Sequence, residues 1–166
     1  MFSRAFFFLA VAWGLVGCGF QPLYGGKAGE EVDERLSAIQ IAPMRDRLGQ
    51  RIHNLLLDRL NSEGRPSSSK FTLNLAASVS TAELGLRFTE VATRATLTLI
   101  ASYYLTDDRT GDVLSEGTVR SVNSYNIPSS EYARITSEAD ATERAAREVS
   151  DEIRVRLGLF FRNNPS

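Results

Sequence analysis

Two stretches of the sequence, Lys70–Thr81 and Ala95–Thr106, alternate between apolar and polar residues along most of their length. That period matches a β-strand, in which successive side chains point to opposite sides of a sheet. The predicted buried face consists of Phe71, Leu73, Leu75, Ala77, Val79, Leu97, Leu99, Ala101, Tyr103 and Leu105. The predicted opposite face carries Thr72, Asn74, Ser78, Ser80, Thr96, Thr98, Ser102 and Tyr104. We therefore expect a sheet with one buried face and one polar face.

Two further strands are predicted on either side of this pair. Leu36–Ala42 is a short apolar stretch that Pro43 ends. Val113–Ile127 is a longer and less regular strand, reached through a hairpin turn at Asp107–Asp112. Gly111 is available in that turn for a positive φ angle.

Two helices are predicted from apolar residues at spacings of three and four. The first covers about Asp46–Ser62, and its apolar stripe is Leu48, Ile52, Leu55, Leu56 and Leu60. The second follows a cap at Pro128–Ser130 and runs to about Phe161. Its predicted stripe, expected to be buried continuously, is Tyr132, Ile135, Ala139, Thr142, Ala146, Val149, Ile153, Leu157 and Phe160.

The resulting order, β-α-β-β-β-α, predicts an α/β (α+β) fold. A strand–helix–strand unit places its two strands parallel, and the tight turns make the remaining strands antiparallel. We expect a two-layer sandwich over residues 34–166 as a single domain, with a four-stranded mixed sheet and two helices on one face. No predicted element covers the other face.

The first 17 residues are typical of a lipoprotein signal peptide. Arg4 precedes an apolar run, Ala5–Val16, that is too short to cross roughly 30 Å of hydrocarbon as a helix. Leu15–Cys18 resembles the lipobox motif, and the resemblance implies cleavage before Cys18 with a lipid on its sulfur. Two acyl chains would give stable membrane anchoring. Residues 18–33 are predicted to form a flexible lipidated tether, because Pro22, Gly25, Gly26 and Gly29 interrupt regular structure there.

The composition argues against several kinds of chemistry. The formal net charge of −1 gives no general attraction to nucleic acid. One cysteine and one histidine, His53, exclude a disulfide within the chain and a zinc cluster, so no metal or cofactor is predicted. The turn that holds Asp107, Asp108 and Asp112 is shorter than a calcium-binding loop and lacks its closing glutamate. A Gly-x-Ser-x-Gly nucleophile motif is absent from the sequence, and we expect no enzyme activity.

Three arginines are candidate contacts for an anionic lipid. Arg87 and Arg94 lie close in sequence to Leu86, Phe88 and Val91, in and beside a predicted loop, 82–93, and Arg120 lies on the neighbouring strand. Arginine beside apolar side chains suits an amphipathic lipid with an anionic head group. An ordinary exposed loop with scattered charge is the alternative. The polar face of the sheet is either solvated or lies against another polar surface, such as the lumen of a β-barrel.

The stretch Cys18–Gly25, with the sequence CGFQPLYG, resembles the start of the mature lipopolysaccharide-assembly lipoproteins of the LptE family in their alphaproteobacterial form. Weaker matches follow in the family's order at Tyr104-Leu105, Thr110-Gly111, Tyr125-Asn126, Tyr132-Ala133 and Asp140-Ala141. The resemblance implies an N-terminally lipidated α/β sandwich that plugs and helps assemble LptD, an outer-membrane β-barrel. The pair would place lipopolysaccharide in the outer leaflet, with direct lipopolysaccharide binding and no turnover. The domain would lie on the periplasmic side or within the barrel lumen.

Three other interpretations remain open from the residues themselves. The chain is an auxiliary lipoprotein of another envelope transport system, an anchored hydrolase, or a purely structural envelope protein. The partner that co-purifies with the chain separates the first of these from the barrel plug. Catalytic-type point mutations test the second, and lipopolysaccharide binding tests the third.

Overall fold

The computed structural model describes residues 27–61, 68–84 and 94–165 of the chain. Seven elements follow one another in these ranges. They are α1 (Lys27–Ser37), β1 (Ile39–Ile41), α2 (Arg47–Leu60), β2 (Phe71–Leu84), β3 (Arg94–Asp107), β4 (Val113–Asn126) and α3 (Glu131–Asn163). No helix among the described residues is long and apolar enough to cross a membrane.

The four strands form one mixed sheet in the order β1-β2-β3-β4. β1 runs parallel to β2, with Ile39 opposite Phe71, and the other two pairings are antiparallel. The β3–β4 turn closes through a hydrogen bond from the Gly111 N–H to the Asp107 carbonyl (2.8 Å), and Gly111 has a φ of 78°. The mixed four-stranded sheet of the predicted α+β fold is therefore confirmed.

The core lies between the sheet and the helices. Fully buried side chains include Leu73, Leu97, Leu99 and Leu105 from the sheet and Ile52, Leu56, Val149, Ile153 and Leu157 from α2 and α3. All the buried sheet residues of β3 belong to the face that the alternation predicts. Both predicted helices pack on that face, α2 against β1 and β2, and α3 against β3 and β4.

The structure corrects the prediction for residues 27–37, because they form a third helix. The tether was predicted to extend to residue 33, and a strand to begin at Leu36, whereas the strand contains only Ile39–Ile41. Val32 and Leu36 are spaced one helical turn apart, and both are buried at 3% and 1% exposure. A short helix gains most of its stability from burial of such an apolar side against the rest of the protein. Residues 1–26, which hold the predicted signal peptide and Cys18, lie outside the described residues.

The predicted continuous stripe on the last helix is wrong for its first part. Tyr132 is 80% exposed and Ile135 58% exposed, and Ala139 is exposed as well. The buried residues of α3 begin at Ala141. The reason is length: α3 has 33 residues and α2 has 14, and α2 lies beside the later part of α3 through ion pairs such as Arg59–Asp151. Val79, at the same end of the sheet, is 44% exposed for the same reason.

Candidate functional site

The face of the sheet opposite the helices is formed by the even-numbered residues of β2 and β3 and by those of β4 from Glu116 onward. We call it the open face, because no described element covers it. Hydroxyl groups pair across its strands. The Ser102 and Thr118 hydroxyls lie 3.1 Å apart, and those of Thr96 and Ser124 lie 3.4 Å apart. The described residues of this face include the serine, threonine and asparagine side chains that the alternation predicts there.

Three large apolar side chains interrupt the polar surface. Ile100, Tyr104 and Val122 are 40%, 46% and 52% exposed. The alternation holds the signal for Ile100, because that residue falls in the polar register of Ala95–Thr106. Neither Ile100 nor Val122 is among the candidate site residues predicted from the sequence. The open face is therefore amphipathic.

Arg120 lies within this apolar group. It is directly opposite Ile100 in the β3–β4 register, and Val122 is the next residue on the same face of β4. Among the described residues Arg120 forms no hydrogen bond or ion pair, and it is exposed. Its guanidinium can therefore offer paired N–H donors to a carboxylate or phosphate while its stem contacts apolar neighbours.

Arg94 also lies on the open face, but away from Arg120. It begins β3 and pairs with Asn126, six residues further along β4 than Arg120. At about 3.3 Å per residue this separates the two arginines by roughly 20 Å. The structure therefore places both candidates on one surface without bringing them into one cluster. Arg87 lies outside the described residues, and the predicted 82–93 loop begins later than expected, because β2 continues to Leu84.

A shallow groove of about 600 Å³ crosses the open face near the β3–β4 turn. Asn74, Ser102, Tyr104, Glu116 and Thr118 supply its polar groups. Gly117 allows the Tyr103 ring to pack on β4 from the helix side, since a Cβ atom there would lie 3.0 Å from the Tyr103 hydroxyl oxygen. The groove therefore offers hydroxyl, amide and carboxylate groups for hydrogen bonding.

Among the described residues, the buried serine beside a carboxylate and His53 lie at opposite edges of the sheet. The most buried hydroxyl beside a carboxylate is Ser121, which bonds to Glu148, and Asn123 donates to the same carboxylate at 3.0 Å. His53 lies on α2 beside β1, at the opposite edge of the sheet. A serine nucleophile needs a base within hydrogen-bond reach, and His53 is not within reach of Ser121.

Solved structures share the fold. A lipoprotein of Caulobacter crescentus CB15 matches with a TM-score of 0.67 and 26% identity, covering 81% of this chain and 97% of that chain. Rare lipoprotein B of Shewanella oneidensis matches with a TM-score of 0.58 and 14% identity, covering 75% and 95%. A minor lipoprotein of Acinetobacter baumannii matches with a TM-score of 0.54 and 13% identity, covering 73% and 88%. The last two show the fold alone.

No curated protein matches the chain. The model of the LptE family, described as lipopolysaccharide-assembly, matches residues 35–157, which include every described strand and most of α3. The resemblance seen in the sequence is thereby confirmed, and the chain belongs to the lipopolysaccharide-assembly LptE family.

Proposed function

We propose that this chain is an outer-membrane lipoprotein that plugs the LptD β-barrel, assists its assembly and helps insert lipopolysaccharide into the outer leaflet. It does so by binding, without catalysis. The observation that carries the proposal is the open face, which presents three long strands of exposed side chains with no described element over them. Family membership supplies the role in lipopolysaccharide assembly.

A barrel lumen is a suitable partner for such a face. The inward-facing residues of outer-membrane barrels are polar, and hydroxyl groups such as those of Ser102 and Thr118 can exchange water for polar groups of the lumen. The exposed side chains of Ile100 and Val122 add apolar area to the contact. β2, β3 and β4 each have 14 residues and are therefore roughly 47 Å long, which is close to the thickness of a membrane with its interfaces.

The lipid on Cys18 would hold the domain at the membrane surface. Restriction to a surface raises the effective concentration near a membrane-embedded partner, so a modest contact suffices for a stable complex. The domain would then lie on the periplasmic side of the outer membrane or within the barrel.

Lipopolysaccharide contact is assigned to the arginines of the open face. Arg120 combines a guanidinium that has no partner among the described residues with the apolar neighbours Ile100 and Val122, and this combination suits a phosphorylated lipid. Competition with the cations that bridge neighbouring lipid phosphates would loosen their packing. Arg87 and Arg94 are proposed to extend this contact.

The test is affinity purification of the tagged full chain from detergent-solubilised outer membranes. We expect a stoichiometric large barrel in the eluate. Ser102→Trp, in the middle of the open face, should release the barrel, whereas Asp140→Trp on the exposed side of α3 should retain it. Equal recovery with both variants would show that the open face is not the contact. Recovery of an inner-membrane transport complex would favour the auxiliary-lipoprotein interpretation.

A further inference from the structure

A cleft of about 590 Å³ lies at the opposite edge of the sheet from β4, between β1 and α2. Its α2 side is formed by Gln50, His53, Asn54, Leu57 and Asn61, which recur at helical spacing and so share one flank. Its other side is formed by β1 together with Pro43 and Met44. None of the described residues that line the cleft is an aspartate, glutamate, lysine or arginine.

The backbone of β1 presents peptide groups to this cleft that no other described strand pairs. In a parallel ladder, alternate residues direct both peptide groups to the same neighbour. The Ala38 carbonyl accepts from Lys70 and the Ala42 N–H donates to Leu73, so these residues face β2. Ile39 and Ile41 therefore direct their peptide groups to the outer edge, where no further described strand lies. Asn61 covers one of them by donating from Nδ2 to the Ile39 carbonyl at 3.3 Å.

The same asparagine leaves a buried acceptor without a partner. Asn61 is 4% exposed, and its Nδ2 also donates to the Ser37 carbonyl at 2.7 Å. Its Oδ1 has no hydrogen-bond partner among the described residues, and the buried Nδ1 atom of His53 also has none. Buried polar atoms are rarely left unpaired, because they lose their bonds to water without replacement. Both orphaned atoms belong to side chains that line the cleft.

We propose that this cleft binds an extended, uncharged segment of a partner protein, which adds to β1 as a fifth strand. A peptide backbone offers donors and acceptors in alternation, as the outer edge of Ile39 and Ile41 requires. A donor of the segment would satisfy Asn61 Oδ1, and its side chains would contact Leu57, Pro43 and Met44. The uncharged side chains of the described lining disfavour a lipid phosphate or an acidic peptide. This site is separate from the open face and does not depend on its function.

The test uses the full mature chain in detergent micelles and a phage-displayed library of random dodecapeptides. We expect enriched sequences to lack charged residues in their central segment. The most enriched dodecapeptide, made synthetically, should shift and protect the backbone amide of Ile41 in NMR spectra. Asn54→Trp should weaken its affinity at least tenfold by filling the cleft. Asp140→Trp, at an exposed position on α3 that does not line the cleft, should leave the affinity unchanged.

Three results would overturn the proposal. One is the absence of enriched peptides, and another is equal weakening by the two tryptophan variants with the fold intact by NMR. The third is binding that appears only after residues 18–26 are deleted, since the chain's own N-terminal segment would then be the occupant.

Discussion

The guanidinium carbon of Arg35 lies 4.4 Å from the centre of the Phe161 ring, and its Nη1 donates to the Asn164 carbonyl at 2.7 Å. Phe161 packs in turn on Phe71 with ring centres 5.1 Å apart. The first and last described helices are therefore joined over the start of β2. This junction explains why residues 27–37 fold as part of the domain.

Loss of this junction should destabilise the whole domain. Phe161→Ala should lower the free energy of unfolding by about 3–5 kcal/mol, since Phe161 is 1% exposed. Arg35→Ala should cost about 1–2 kcal/mol through the lost cation–π contact and hydrogen bond. Urea unfolding measures both, with the exposed Arg162→Ala as control. A cost for Arg35→Ala no larger than the control's would show that the junction contributes nothing.

Gly49→Ala should destabilise the protein, although alanine is the better helix former by about 1 kcal/mol. A Cβ atom at Gly49 would lie 2.6 Å from Met44 Cβ, an atom that moves only with the backbone. We expect a net cost of about 1–3 kcal/mol from overpacking. In a Met44→Gly background the same substitution should become neutral or stabilising. A double-mutant cycle by thermal unfolding checks the coupling, and additive costs would contradict it.

Gly111→Ala should cost about 1–2 kcal/mol for a different reason. Nothing lies within 4 Å of a Cβ atom built at Gly111, so crowding plays no part. The cost comes from the φ of 78°, which an L-residue adopts with strain. Gly111→Asn should cost less, because asparagine tolerates this conformation. Equal unfolding midpoints for the alanine and asparagine variants would argue against backbone strain as the cause.

The first turn of α3 should loosen in acid. Arg134 donates to the Glu131 carboxylate at 3.0 and 2.6 Å, and this pairing holds the pKa of Glu131 below its ordinary value. A lowered folded-state pKa contributes stability above the unfolded-state pKa, which is lost as the pH falls through the folded-state pKa. We expect the amide protection factors of residues 134–137, after correction for the intrinsic pH dependence of exchange, to decrease as the pH falls through that acidic range, because the first hydrogen bond of the helix runs from the Arg134 N–H to the Ser130 carbonyl. Arg134→Gln should return the Glu131 pKa toward its ordinary value, as carbon-13 NMR titration of the carboxyl would show.

Lipopolysaccharide binding should depend most on Arg120. Arg120→Ala should weaken binding of the purified chain to lipopolysaccharide several-fold, because the contact with a lipid phosphate is lost. Ile100→Ser should also weaken binding, because an apolar contact is lost. The triple variant of Arg87, Arg94 and Arg120 to alanine should bind more weakly still. Arg144→Ala, on the exposed side of α3, is the matched control. Binding of the triple variant as tight as wild type would remove the assignment of all three arginines.

The alternation of Lys70–Thr81 and Ala95–Thr106 determined the two central strands and their buried face, because a period of two is a local property of the chain. The stripe of Ile52, Leu56 and Leu60 determined α2 in the same way. Only the tertiary structure decided which apolar residues are buried against another element. Tyr132 and Ile153 belong to one stripe of α3, yet Tyr132 is 80% exposed and Ile153 is fully buried. The difference arises because α2 lies beside only the later part of α3.

The same limit applies to the candidate surfaces. The sequence predicted that Arg120 lies in a strand and that Arg94 lies just before one. Their position on one face, roughly 20 Å apart, follows from the start of β3 at Arg94 and from the β3–β4 register. The helix at Lys27–Ser37 was not predicted from the sequence, because Gly29 disfavours a helix and most of the segment's residues are charged. It is helical because Val32 and Leu36 pack into a core that distant segments supply, and Arg35 contacts Phe161 126 residues away. Contacts between segments so far apart along the chain have no signature in either segment alone.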